Sequence, residues 1–197
     1  MESSSKRIYL DLEYLYPGMT PEKGRPSEKE KRQIVQIGAI LFDGDTGLEC
    51  ESFDVLVLPA FEKKLPPFFV ELTRINQRMV DAKAISFPEA LKHLVSFCKG
   101  YPIWIFHADQ SVLEQNCQYF DIPFPFQKSF IQVKEQLPTW GLNPDQYSSG
   151  TLFKAAGLQM DGSKVHNALH DVRSMANAVW VFEHPETAAS RSWLAPK

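Results

Sequence analysis

Two carboxylates, two residues apart inside an apolar run that favours β structure, constrain this chain more than any other feature. Side chains alternate along a strand, so within Ile8–Tyr14 (IYLDLEY) Asp11 and Glu13 share one face while Leu10 and Leu12 take the other. Neighbouring acids on a half-buried surface repel each other and lose hydration unless a positive charge sits between them. A divalent metal ion satisfies the pair, and so does an edge strand on which both acids simply face water. Further ligands elsewhere in the chain decide between the two.

At 197 residues the chain suits a single domain, with a core of about 7–183, a long loop at 14–33 and a tail at 184–197. A net charge of -3 excludes a globally basic nucleic-acid coat, so any contact with phosphates has to come from a local patch or from metals that cancel clustered acids. The three cysteines, Cys50, Cys98 and Cys117, are odd in number and follow no zinc spacing, which points to a reducing compartment. No run reaches the roughly 20 apolar residues of a spanning helix, and the MESSSKR start has no signal-peptide stretch. The expectation is a cytoplasmic protein with no membrane partner.

Tyr14–Gln33 holds three prolines and two glycines among dense charges and reads as a loop. Lys23, Arg25, Lys29, Lys31 and Arg32 outnumber Glu22, Glu28 and Glu30 there, so the segment is either a solvated surface loop or a lid bringing cations to a phosphate backbone. Ile34–Phe42, the DGDTG turn and Leu48–Pro59 predict a hairpin, and with the first strand an antiparallel meander. Helical spacing follows, with Pro88 as a first helical residue and Ala90, Leu91, Leu94, Val95 and Cys98 as a stripe. A short strand at Ile103–Phe106 runs through Asp109 into a helix at Ser111–Tyr119. A strand at Phe130–Val133, a helix at Gly150–Ala156 and a last helix with an Ala168, Val172, Met175, Ala176 and Val179 stripe complete the pattern.

Three later residues offer themselves to the paired acids. Asp109 follows a buried strand at a helix start, where it serves equally well as a capping residue. Asp171 borders the apolar stripe of the last helix, and a carboxylate in that position needs a partner. His166 lies five residues earlier, about 140° around a helix, so it shares the site only from the incoming loop. His170 projects with Ser174 and Asn177 and reads as surface, and His107 is ambiguous.

Asp11-x-Glu13 on a first strand, Asp109 with Leu113 four residues on, and His166 with Asp171 opening a late helix resemble the three motifs of the DEDDh 3'-5' exonucleases. IVQIGAI and LTRINQRMVDAKAISFPEAL resemble that family's second strand and the segment after its third, so the resemblance spans about Arg7 to Phe182. Ribonuclease T, oligoribonuclease and the sporulation-inhibitor-type exonucleases are similar. Three departures stand out: Tyr14 and Leu15 where many members have a small hydroxyl residue, Thr73-Arg74-Ile75-Asn76 where many read TGIT, and a longer loop after the first strand.

The resemblance implies an α/β, ribonuclease H-like fold: a central mixed sheet with antiparallel first three strands and flanking helices. It implies release of nucleoside monophosphates from the 3' end of single-stranded RNA or DNA, and a homodimer, as in many relatives. Hard ions prefer carboxylate oxygen, which suits two Mg²⁺ or Mn²⁺ held by Asp11, Glu13, Asp109 and Asp171, Asp11 bridging. His166 fits a general base, since an imidazole titrates near neutral pH. Leu12, Thr73 and Asn76 by resemblance, and Phe106 by position, are candidate substrate contacts. Two other readings remain: a nuclease-fold module that binds nucleic acid or protein without turnover, and a hydrolase of very short oligonucleotides.

Overall fold

Five strands form one sheet in the order β3-β2-β1-β4-β5. They are β1 (Lys6–Leu15), β2 (Gln33–Asp43), β3 (Leu48–Leu56), β4 (Ile103–Ile105) and β5 (Phe130–Gln132). The computed structural model describes residues 5–23, 30–126 and 130–189. The first three strands form an antiparallel meander, whereas β4 and β5 run parallel to β1. The strand bearing the acid pair is therefore the middle of the sheet and not an edge, which removes the water-facing alternative for Asp11 and Glu13.

Alternation along β1 sends Ile8, Leu10 and Leu12 to one face, against α3 (Phe87–Cys98) and α4 (Asp109–Tyr119) through Ala90, Leu91, Leu94, Val112 and Leu113. Tyr9 faces the other way, into a core with Phe42 and the Val172, Met175 and Val179 stripe of the last helix, Ala168–Glu183. Ser86 caps α3, accepting from the Glu89 amide, and Pro88 occupies its first turn, where a missing N–H is harmless.

A third core gathers around the C-terminal end of β1. Leu15, Tyr16 and Met19 pack there against Phe69 of α1 (Pro67–Thr73) and Val80 of α2 (Gln77–Lys83). The loop expected at 14–33 is thus shorter: Tyr14 and Leu15 belong to β1, Gln33 opens β2, and Tyr16 and Met19 are buried because such large apolar side chains fill the space that α1 leaves. Arg25, Glu28 and Lys29, counted into its basic excess, lie outside the described residues. Lys23 forms an ion pair with Glu30 and stands over the Tyr16 ring. Arg74, where the resembling sequences carry glycine, ends α1 with a left-handed φ of 63° and donates its amide to Val70, so the turn survives the substitution.

In the second half of the chain, α5 (Val133–Gln136) follows β5, and the helix expected at Gly150–Ala156 is a 3-10 turn at Ser149–Thr151 running into α6 (Leu152–Ala155). The Ala168–Glu183 helix is α7, and α8 (Pro185–Ala189) continues into the segment expected to fray. Among the described residues no helix is long and apolar enough to cross a membrane.

Gly38 sets how closely α7 approaches the sheet. A Cβ at this position would lie 2.4 Å from the Ala168 carbonyl carbon and the Leu169 nitrogen, so the first turn of α7 rests on bare strand backbone. Gly38 pairs with Asp11 across the β1–β2 ladder, and the close contact therefore holds the start of α7 opposite the acid pair. Gly38→Ala is expected to cost about 1–3 kcal/mol through overpacking, lowering the melting temperature by roughly 3–10 °C. Calorimetry showing an unchanged transition would mean that α7 is free to slide.

Candidate active site

The sequence places Asp11 and Glu13 on the Tyr9 face of β1, beyond the point where that face is apolar. Both are buried, at 7% and 8% exposure, as are Asp109 at 7% and Asp171 at 3%. Asp109 is the first residue of α4, delivered by the turn after β4. The N-cap position belongs to Ala108, and no side chain caps this helix. The carboxylate of Asp109 lines the cleft, and the backbone amides of Asp109 itself, His107 and Leu12 lie against it.

Asp171 reaches the same place from the first turn of α7. Asn167 caps that helix, accepting from His170 N at 3.2 Å, and Gln36 anchors its first amide: Ala168 N donates to Gln36 Oε1 at 3.0 Å. Gln36 in turn donates to Asp54 Oδ1 at 2.7 Å, and it is the ladder partner of Glu13. His166 stands just before the helix with a left-handed φ of 68°, uncommon for a residue with a Cβ. Its backbone N donates to Asp171 Oδ2 at 3.3 Å, so the acid holds the bent segment on which the imidazole is mounted. Glu13, His166 and Asp171 each bring one ligand atom within 4.8 Å of the others.

All five residues line one cleft of about 620 Å³, together with Leu12 and Phe106. Thr73 and Asn76 are not among its lining residues. The Thr73 hydroxyl donates to Phe69 O at 2.9 Å and accepts from Ile75 N at 3.1 Å, and Asn76 caps α2 by accepting from Met79 N at 3.0 Å. The cleft-lining side chains of that segment are Phe68 and Leu72, four residues apart on one face of α1, a helical pair hidden in sequence by the helix's short length. His170 and Ser174 are buried, contrary to the exposed face expected for them. Ser174 Oγ accepts from Phe153 N at 3.1 Å in α6, and His170 lies near the charges of Asp161, Lys164 and Arg173.

Burial dominates the electrostatics. It raises the carboxyl of Asp109 to about 6, opposed by the nearby amides and by the charge of Arg32, and that of Asp171 to about 7, opposed by the His166 amide. Asp11 and Glu13 are raised well above the usual carboxylate range, first by burial and then by the other acids, with the Ser149 hydroxyl relieving Asp11. Asp171 Oδ1 is buried with no hydrogen-bond partner, and Gly150 packs so closely beneath it that a Cβ would lie 2.4 Å away. Four buried carboxylates, one with an orphaned oxygen, form a hard-oxygen donor set that fits divalent metal ions.

A raised carboxyl holds its proton more tightly in the folded chain, so its contribution to stability is present at acid pH and is lost as the pH rises through the shifted value. In EDTA, Asp171→Asn is therefore expected to stabilise the protein relative to wild type. The gap in melting temperature should widen from about pH 4 to about pH 7, the window between the ordinary and the raised values. A gap that stays constant across that window would show that the acids are not electrostatically stressed.

Sequence reasoning missed the supports of this site: Gln36, Gly38, Ser149, Gly150 and Arg32. A glycine inside the IVQIGAI strand was the available signal for close backbone approach. Arg32, counted with the loop cations, is 5% exposed and lines the cleft, its Nε donating to Gln115 Oε1 at 3.3 Å and its Nη1 to Ser111 Oγ at 3.2 Å.

The architecture is similar to that of solved nucleases. The nuclease domain of 3'hExo, a DEDDh family member bound to rAMP, superposes with a TM-score of 0.79 at 21% identity, covering 94% of each chain. Cell-death related nuclease 4 (CRN-4) gives 0.74 at 16% identity over 92% of this chain and 64% of its own. E. coli Exonuclease I in complex with a dA16 oligonucleotide gives 0.65 at 18% identity, over 93% of this chain and 42% of that larger protein. At these identities the likeness establishes the fold, which is the ribonuclease H-like arrangement of a mixed sheet and flanking helices. No curated protein matches the chain in sequence. The exonuclease family, RNase_T, matches residues 8–179, nearly the whole chain, and the chain belongs to that family.

Proposed function

We propose that this protein is a metal-dependent 3'-5' exonuclease that releases nucleoside monophosphates from the 3' end of single-stranded RNA or DNA. The observation carrying this reading is the convergence of Asp11 and Glu13 of β1, Asp109 of α4, Asp171 of α7 and His166 of the segment before α7 on one cleft. A buried acid cluster of this kind is unfavourable by itself, and it suits an enzyme that loads cations and then a polyanion. The solved neighbours that hold rAMP and a dA16 oligonucleotide support nucleic acid as the substrate class.

Asp11, Glu13, Asp109 and Asp171 would hold two Mg²⁺ or Mn²⁺. When bound, such ions lower the pKa of water and offset the charge that develops on the phosphate oxygens. The chain's own groups do the rest. His166 takes the proton from the attacking water as its bond to phosphorus forms and the bond to the leaving 3' oxygen breaks. The left-handed turn at His166 and the hydrogen bond from its backbone N–H to Asp171 Oδ2 hold that base at the cleft. Phe106 presents apolar surface beside the acids, suited to the terminal sugar and base, while Leu12 reaches the cleft rim between the two acids with its side chain in the core on the other face of β1.

The test is incubation with 5'-labelled single-stranded RNA and DNA in Mg²⁺ or Mn²⁺ and in EDTA. Stepwise shortening with mononucleotide release, lost in EDTA and on a strand with a blocked 3' end, is the expected result. Cleavage that continues in EDTA, or internal cuts on the blocked strand, would refute the reading.

A further inference from the structure

Beside the cleft, the start of β2 carries a feature that the hydrolytic chemistry does not use. Phe61 is 49% exposed, yet it is firmly placed: its amide and that of Glu62 both donate to the buried Gln33 Oε1, at 2.7 and 2.9 Å. Its ring packs edge-on against Tyr119, with centroids 4.9 Å apart, and the Lys31 ammonium lies 4.7 Å from its centroid. Tyr119 is the last residue of α4, the helix whose Ser111 and Gln115 hold Arg32 against the cleft. Arg32, Lys31 and Phe61 thus follow α4 outward from the acids. Ser111 to Tyr119 spans about 12 Å of helix, the length of about three stacked nucleotides. Lys63 and Lys64, exposed and next in sequence to Phe61 and Glu62, add positive charge to this segment, and Glu30 is paired with Lys23. Among the described residues Glu62, Glu114 and Asp121 are nearby acids that oppose a polyanion, so the cations have to outweigh them.

A rigid exposed aromatic ring flanked by cations is the composition of a single-strand stacking platform. We propose that the single strand 5' to the cleaved bond leaves the cleft past Arg32, which takes one of its phosphates. The strand then lays a base on Phe61, with Lys31 on the adjoining phosphate. This rests on the nuclease reading above, and it makes the enzyme a length-sensing one: substrates long enough to reach Phe61 are held better than dinucleotides.

The experiment measures kcat/KM on a dinucleotide and on a single strand of roughly ten nucleotides, with equilibrium binding of a fluorescein-labelled copy of the longer strand. In Phe61→Ala the long-to-short ratio of kcat/KM and the long-strand affinity are expected to fall on the order of tenfold, and Phe61→Trp to restore both. Lys31→Ala is expected to shallow the slope of log affinity against log salt by about 0.7. An unchanged ratio and unchanged affinity in Phe61→Ala, with an unchanged melting temperature, would overturn the proposal. If wild type binds the long strand but hydrolyses neither substrate, the nuclease reading fails, and the affinity of Phe61→Ala still decides the platform.

Discussion

His166→Ala is expected to slow release of the terminal nucleotide by on the order of 10²- to 10⁴-fold, the usual contribution of a positioned general base. Its backbone amide remains to bond Asp171, and alanine tolerates the left-handed turn less well than glycine, so His166→Gly is the cleaner companion variant. Both should keep metal-dependent stabilisation, because the four carboxylates are untouched. Single-turnover rates across pH check the role: in wild type the rate should rise with deprotonation of the base, and that limb should vanish in the variants. A wild-type rate in His166→Gly would assign the proton transfer elsewhere.

Asp11→Asn is expected to remove activity by a different route, with an effect of similar or greater size. The carboxylate sits among Asp109, Asp171 and Glu13, so losing its charge weakens the hold on the ions that all four would share. Lewis-acid assistance worth several kcal/mol corresponds to a loss of about 10³-fold or more. The metal-free variant should nevertheless be more stable than metal-free wild type, because the burial and the neighbouring acids that disfavour an ionised Asp11 no longer act on a neutral amide. Added Mg²⁺ or Mn²⁺ should raise the melting temperature of wild type much more than that of Asp11→Asn. Equal stabilisation of the two proteins would show that Asp11 holds no ion.

Much of this site could be read from sequence because strand alternation and helix starts are local properties. The two-residue spacing of Asp11 and Glu13 put them on one face whatever the rest of the chain did, and Asp109 and Asp171 each stood at a helix start marked by the preceding strand or apolar stripe. What escaped depends on packing between distant segments. His170 and Ser174 lie on the side of α7 that looked polar, yet both are buried, Ser174 because α6 packs on it through the Phe153 amide. Thr73 turned inward to finish one short helix and Asn76 caps the next at the surface, leaving Phe68 and Leu72 to line the cleft. Tyr14–Gln33 read as loop from its prolines and charges, yet its tyrosines and Met19 had a third core to enter, which no local pattern announces.

The most direct test of the central claim is a 5'-labelled single strand incubated with wild type and with Asp109→Ala in the same Mg²⁺ or Mn²⁺ buffer. Asp109 is chosen because the N-cap position of α4 belongs to Ala108, so the substitution removes no helix cap. Wild type should produce a ladder shortening from the 3' end and Asp109→Ala none, with the two proteins equally folded by circular dichroism. A ladder of comparable intensity from Asp109→Ala would contradict the assignment of the acid cluster as the catalytic centre.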